Sequence, residues 1–284
     1  MNDKIYKYCL ITAVGLILPV GVGIFLTLLW DAMPAFEKFG VIEFITSCDG
    51  NSVAEGEKYG ALPYIVGTLA TSFLALIISV PFSLAAALFS GEYYRGKRFA
   101  GIIDSAVAML AGIPSIIYGL WGFAVLNPIL VSMKLSETGY GILSASLLLA
   151  IMIIPYSASL TKEFIMMVPS ELKEGAYSLG ATRSDVIAKI VLPKCMPGII
   201  STFILALGRA LGETMAVTMV IGNTNFLPKS ITDTGNTMAS IIANRFGEAD
   251  GLQMASLIAI ALLLFVITFI VNLTGKFIVK KLKA

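Results

Sequence analysis

The chain contains no histidine, which removes imidazole-based metal sites and histidine-dependent catalysis from consideration. Cysteine is scarce: Cys9, Cys48 and Cys195 lack metal-ligand spacing and fall at different depths and sides of the topology below. Free thiols are therefore expected, with no disulfide framework. Charged residues make up only 13% of the sequence against 57% hydrophobic ones. With a mean hydropathy of +0.88, this is no soluble domain but a polytopic membrane protein. The phosphate-cradling pattern G-x-x-x-x-G-K-[ST] is also missing, since Gly275-Lys276 lacks the upstream glycine and follows an apolar run. The chain cannot bind ATP by that route, so it is expected to be no enzyme by itself and to carry no cofactor. The net charge of +2 says little about partners, and none is expected to be a nucleic acid.

What is present is a series of long apolar runs with the charges gathered between them. About 20 residues at 1.5 Å each cross a hydrocarbon core of about 30 Å. Lys4 and Lys7 precede the first run, residues 8–30. It is long for a signal peptide and lacks an Ala-x-Ala cleavage site, so it reads as an uncleaved first helix, with Trp30 at the interface. Further spans are expected at 64–89, 99–126, 142–160, 199–221 and 252–271. Pro81 is a plausible kink in the second. Residues 31–63, with Asp31, Glu37, Glu43, Asp49, Glu55 and Glu57, read as an outer loop, either a solvated connector or a docking surface.

Charge asymmetry sets the orientation. The N-terminus, the turn from Arg95 to Arg98, the segment around Glu174 and the lysine-rich tail hold nearly all the Lys and Arg. The opposite loops hold Lys38, Lys58, Lys134, Lys229 and Arg245. Six spans with both termini in the cytoplasm satisfy the positive-inside rule. The whole chain, 1–284, then forms a single all-α membrane domain, with residues 161–198 as its cytoplasmic loop.

Within that loop, Ser170 to Pro193 reads SELKEGAYSLGATRSDVIAKIVLP. Ser170 suits an N-cap, and Glu171 suits the positive end of the helix dipole. Gly180 offers a stop in the left-handed region. Thr182 and Asp185 have capping-box spacing for a second short helix, expected to halt at Leu192-Pro193. The apolar residues are too few for a separate core, so the unit must dock, on its own membrane helices or on a partner.

Two interior stretches are informative. Ala111-Gly112-Ile113-Pro114-Ser115 interrupts the third run, where a broken helix either lines a pathway or kinks for packing. In Leu207-Gly208-Arg209-Ala210-Leu211-Gly212-Glu213-Thr214, Gly208 and Gly212 form a small-xxx-small packing seam. Arg209 and Glu213 are one helical turn apart, and the centre of the span falls near Ala210. A central Arg costs about 2.5–3.5 kcal/mol, so it should face protein or a water-filled cavity. Its planar fork matches the oxygens of a phosphate or sulfate. A buried ion pair that fixes helix register fits the same residues equally well.

Glu174-Gly175-Ala176, three residues, Gly180, nine residues, then Ile190-Val191-Leu192-Pro193 resembles the EAA loop of ABC importer permeases, with Gly175 in place of the middle Ala. The resemblance implies type I importer architecture and a coupling helix seated on an ATPase subunit. Gly208 to Val217 with Ile221-Gly222-Asn223-Thr224, Tyr59 to Pro63, and Ile113 to Gly119 resemble the PstC-type subfamily of bacterial phosphate permeases. This implies a multi-pass subunit of the bacterial inner membrane, surrounded by lipid. It also implies a second permease of PstA type, two ATPases of PstB type that bind the ATP, and an external binding protein of PstS type. Arg209, Glu213, Thr214 and Ser115 are then expected on the substrate pathway. Glu174, Gly175, Ala176, Gly180, Ile190, Leu192 and Pro193 are expected to couple to the ATPase. The alternatives are an importer for another oxyanion, an ion-coupled carrier, and a membrane sensor or scaffold.

Overall fold

A computed structural model describes residues 3–48 and 59–283. The expected turn at Asp49-Gly50-Asn51 lies outside the described residues. The described chain is helical, with an isolated bridge between Gly222 and Gly235 as its one β feature among the described residues. Six helical segments are long and apolar enough to cross a membrane: Tyr6–Phe39, Leu62–Tyr93, Ser115–Ser132, Ile142–Met166, Arg183–Leu211 and Gly251–Leu282.

The elements are α1 (Asp3–Phe39), α2 (Val41–Thr46), α3 (Leu62–Leu88), α4 (Arg98–Ala111), α5 (Ser115–Trp121), α6 (Asn127–Ser132) and α7 (Ile142–Met166). These are followed by α8 (Ser170–Ser178), α9 (Arg183–Val186), α10 (Leu192–Leu211), α11 (Met215–Thr218), α12 (Met238–Arg245) and α13 (Gly251–Lys283). Wide π turns at Gly122–Leu126 and Ile187–Val191 carry α5 into α6 and α9 into α10 without a break.

Helix α7 is the hub. Ala145, Leu148, Leu149, Ile153, Ala206, Ala210, Ala216, Val217 and Val220 form one buried cluster around it. Its close partner is α3, which buries a small residue at every fourth position, from Gly67 and Thr71 through Ala75, Ser79 and Ser83 to Ala87. Small side chains let two backbones approach, which drives helix association where lipid is as apolar as leucine. The hydroxyls of Ser83 and Ser157 lie 2.6 Å apart across this contact. A second cluster joins α1, α2 and α12 to α13, and a third (Ala87, Ile165, Val168, Val186, Val191 and Ile199) closes the inner end.

The structure corrects several expected boundaries. Helix α1 runs on through Asp31 to Phe39, so part of the segment 31–63 is helical. Helix α7 continues to Met166, and α13 carries the lysine-rich tail in helical form. The expected third span is two helices, with a break at Gly112-Ile113-Pro114. The expected fifth span does not reach residue 221, because α10 stops at Leu211. Nor does the helix begun at Thr182 halt at Leu192-Pro193. The chain widens into the π turn just before Pro193 and continues, a way of absorbing a proline that lacks its N–H.

Candidate functional site

Both interrupted helices break at a glycine, and the pieces beyond the breaks meet. At the first break, Gly112 ends α4 and Pro114 leads into α5. Proline leaves carbonyls of the preceding turn without helical donors. The buried Tyr118 donates its hydroxyl to the Leu110 carbonyl at 2.9 Å, which stitches the gap. Ser115 is the half-buried first residue of α5. At the second break, α10 ends at Leu211, and Gly212, Glu213 and Thr214 separate it from α11. Gly119 on α5 packs directly on α11: a Cβ there would lie 3.1 Å from Ala216 Cα and 2.8 Å from Met219 Sδ. Only glycine permits that approach.

Arg209 occupies the last turn of α10 and is exposed in the isolated chain. Among the described residues no carboxylate lies within ion-pair distance of it. Its guanidinium lies 5.5 Å from the centre of the Tyr156 ring on α7. The carbonyl end of α10 and the ring face both favour a cation. Neither neutralises it, so the charge remains available to an anion.

The expected Arg209–Glu213 pairing is corrected here. Glu213 lies beyond the end of α10, and its Oε1 accepts from the Ala216 N–H at 3.3 Å, capping α11. The two residues share no helical face because the helix that would align them has ended. Thr214 donates its hydroxyl to the Gly212 carbonyl at 3.2 Å, within the same turn. The expected Gly208/Gly212 seam is half present. A Cβ on Gly208 would touch the Asn272 side chain on α13 at 3.5 Å, whereas Gly212 ends the helix and meets no other element.

The segment from Ser170 to Pro193 forms largely as its residues dictate. Gly180 has φ +83° at the turn, and Thr182 and Asp185 form a reciprocal capping box. The first helix, however, is led by Pro169, with Ser170 already inside it and no side-chain cap. Val186 and Val191 dock on the inner ends of α3 and α7, Ile187 is buried, and Ile190 and Leu192 are half-buried. Glu174, Gly175 and Pro193 are exposed and Ala176 is half-buried. Leu172 and Tyr177 remain open, and Leu179 is 91% exposed at the tip of the turn.

Sequence reasoning missed the clamp that seats this segment. Lys173 of α8 pairs with Glu92 in the turn after α3. Arg183 donates to the carbonyls of Glu92 at 2.9 Å and Tyr93 at 2.6 Å, with its guanidinium over the Tyr93 ring. Tyr156, Tyr118 and Lys162, which pairs with Asp104, were also missed. No local pattern marks these residues, because their partners come from other helices.

Residues 79–284 match the family described as binding-protein-dependent transport system inner membrane component. The Phosphate transport system permease protein PstC of Pasteurella multocida is 42% identical over 89% of this chain and 83% of its own. That of Xylella fastidiosa (strain Temecula1) is 39% identical over 99% of this chain and 91% of its own. The fold is shared with a bacterial alginate ABC transporter chain, at a TM-score of 0.65 and 19% identity, covering 96% of this chain and 94% of that one.

Proposed function

The chain belongs to the family of inner membrane components of binding-protein-dependent transport systems, and from that membership we propose that it is the permease subunit of an ATP-driven phosphate importer. It is a multi-pass protein of the bacterial plasma membrane. Phosphate is the cargo named for its relatives from Pasteurella and Xylella. The observation that carries the reading is Arg209, a guanidinium at a helix break with no carboxylate partner among the described residues. An unneutralised fork of five donors is suited to a tetrahedral oxyanion, which accepts parallel hydrogen bonds from it.

In this reading Arg209 holds the anion electrostatically, Ser115 at the start of α5 supplies a hydroxyl and a positive helix end, and Thr214 at the second break supplies a hydroxyl. Glu213 acts by capping α11 and so holds the break open. A second permease subunit of PstA type covers the exposed face of Arg209 and completes the path. Two ATPases of PstB type supply the energy, and a binding protein of PstS type delivers phosphate at the outer face. Leu172, Tyr177 and Leu179, beside Glu174, form the apolar knob that enters an ATPase groove.

The test is uptake by the complete transporter in proteoliposomes, with labelled phosphate and labelled sulfate in parallel. Phosphate uptake that requires ATP and the binding protein, and that Arg209→Ala abolishes per assembled complex, supports the reading. Uptake of sulfate in preference to phosphate refutes the cargo.

A further inference from the structure

On the inner side of Tyr156 the structure opens into a cavity of about 310 Å³ between α3, α4 and α7. Its walls include Ala108, Ala111, Pro155 and Tyr156, with Asp104 and Lys162 at its inner part. We propose that this cavity is a second anion site on the exit side of Arg209, in which Lys162 exchanges its partner Asp104 for the departing oxyanion. The inference rests on the reading of Arg209 as a substrate ligand.

Three observations support the exchange. First, Tyr156 belongs to both places: its ring centre lies 5.5 Å from the Arg209 guanidinium, and the residue lines the cavity. Lys162 follows Tyr156 by six residues on α7, about 9 Å along the helix toward its inner end. Among the described residues that line the cavity Lys162 is the one cation, so an anion that enters from the Tyr156 end meets it there. Second, the Lys162–Asp104 pair is not sealed. Its Nζ–Oδ2 distance is 2.5 Å, but the side chains are 20% and 38% exposed. The Glu92–Lys173 pair nearby is closed on both sides, at 9% and 10%. Third, the exposed member is the carboxylate. Asp104 can turn to water while the better-buried lysine stays in place.

The charges have a physical purpose. Two bare cations in series would hold a divalent anion too firmly for passage, since conduction needs sites weak enough to leave. A competing carboxylate at the inner site lowers its affinity and displaces the anion when Asp104 returns. Arg209, with no such competitor, is the site of capture. Lys162, with one, is the site of release.

The experiment uses the complete transporter in proteoliposomes, with inorganic phosphate added on the ATPase side as inhibitor of uptake. Asp104→Asn removes the competitor and should lower the half-inhibitory concentration by roughly tenfold, within the usual range of couplings between sites. Lys162→Met should raise it, Lys162→Arg should return it toward wild type, and the Asp104→Asn/Lys162→Met double variant should behave as Lys162→Met. A strut that only holds α4 to α7 predicts instead that the double variant regains wild-type uptake and inhibition; that result overturns the proposal. Unshifted inhibition in an Asp104→Asn complex with normal uptake also overturns it and leaves the transport function standing. A wild-type complex that moves no phosphate overturns both.

Discussion

Lys173 and Glu92, 81 residues apart in sequence, close an ion pair whose side chains are only 10% and 9% exposed. The pair fastens α8 to the turn between α3 and α4, and Arg183 grips the same turn through two backbone carbonyls. Through these contacts α8 is tied to the turn that leads into α4, the helix that ends at the first break.

Removing one member of a buried pair leaves the other charge stranded, at a cost of about 3–5 kcal/mol. Lys173→Met is therefore expected to lower the thermal stability of the purified complex and to uncouple ATP hydrolysis from uptake. The Lys173→Met/Glu92→Gln double variant should regain most of the stability, but not the coupling. Thermal melting alongside ATPase and uptake rates separates the two effects; full recovery of coupling would show the pair to be a strut alone.

Gly180 and Gly175 make a controlled comparison within one segment. Neither has an atom within 4 Å of an added Cβ, but only Gly180 has a positive φ, +83°. Gly180→Val should therefore strain the turn by about 1–2 kcal/mol through conformation alone and impair ATPase association. Gly180→Asn should be milder, since Asn tolerates that region. Gly175→Ala lies inside α8 and should stabilise it by up to about 1 kcal/mol. Co-purification of the ATPase with each variant checks the order; equal behaviour of Gly180→Val and wild type would remove the turn from the coupling account.

Orientation is testable through thiols, with one correction forced by packing. Cys48 is exposed just past the end of α2, whereas Cys195, on α10, is buried in the cluster at the inner ends of α3 and α7. The sequence alone suggests that Cys195 labels once the membrane is permeabilised; its burial predicts that it stays silent until the protein is denatured. An exposed neighbour is the better inner reporter. In a background with Cys9 and Cys195 replaced by Ser, Cys48 should react with an impermeant maleimide in spheroplasts. Lys194→Cys, in a background with all three native cysteines replaced, should react only after permeabilisation. The reverse pattern would invert the topology.

The number of spans and the coupling segment were legible because each rests on a local signal: run length for one, glycine and capping spacing for the other. The breaks were legible only in part. Pro114 announces the first by removing a backbone donor. Nothing comparable marks the second, since Gly212-Glu213-Thr214 fits a helical face as well as a break, and only packing of α11 on Gly119 decides between them. The clamp was invisible, because Glu92 and Lys173 meet through tertiary structure. The small-residue stripe of α3, from Gly67 to Ala87 at every fourth position, was readable in principle but is masked by the hydropathy of its neighbours.

The end of α10 sharpens the test of Arg209. Were Arg209 and Glu213 a buried pair, removing either would strand the other, and the double variant would recover. In the structure they do separate jobs: Arg209 faces the Tyr156 ring without a carboxylate, and Glu213 caps α11. Glu213→Ala should then cost about 0.5–2 kcal/mol, the usual loss for a helix cap. Glu213→Gln should cost less, because an amide oxygen still accepts from Ala216. Arg209→Ala should barely change stability, since the side chain is exposed in the isolated chain. A double-variant cycle on melting of the purified complex should be additive within about 0.5 kcal/mol, the scatter found for independent sites. Uptake should divide differently: abolished in Arg209→Ala, reduced in Glu213→Ala, and abolished in the double. A coupling energy of several kcal/mol with restored uptake in the double would mean that the two side chains pair in the assembled transporter, and that phosphate is held elsewhere.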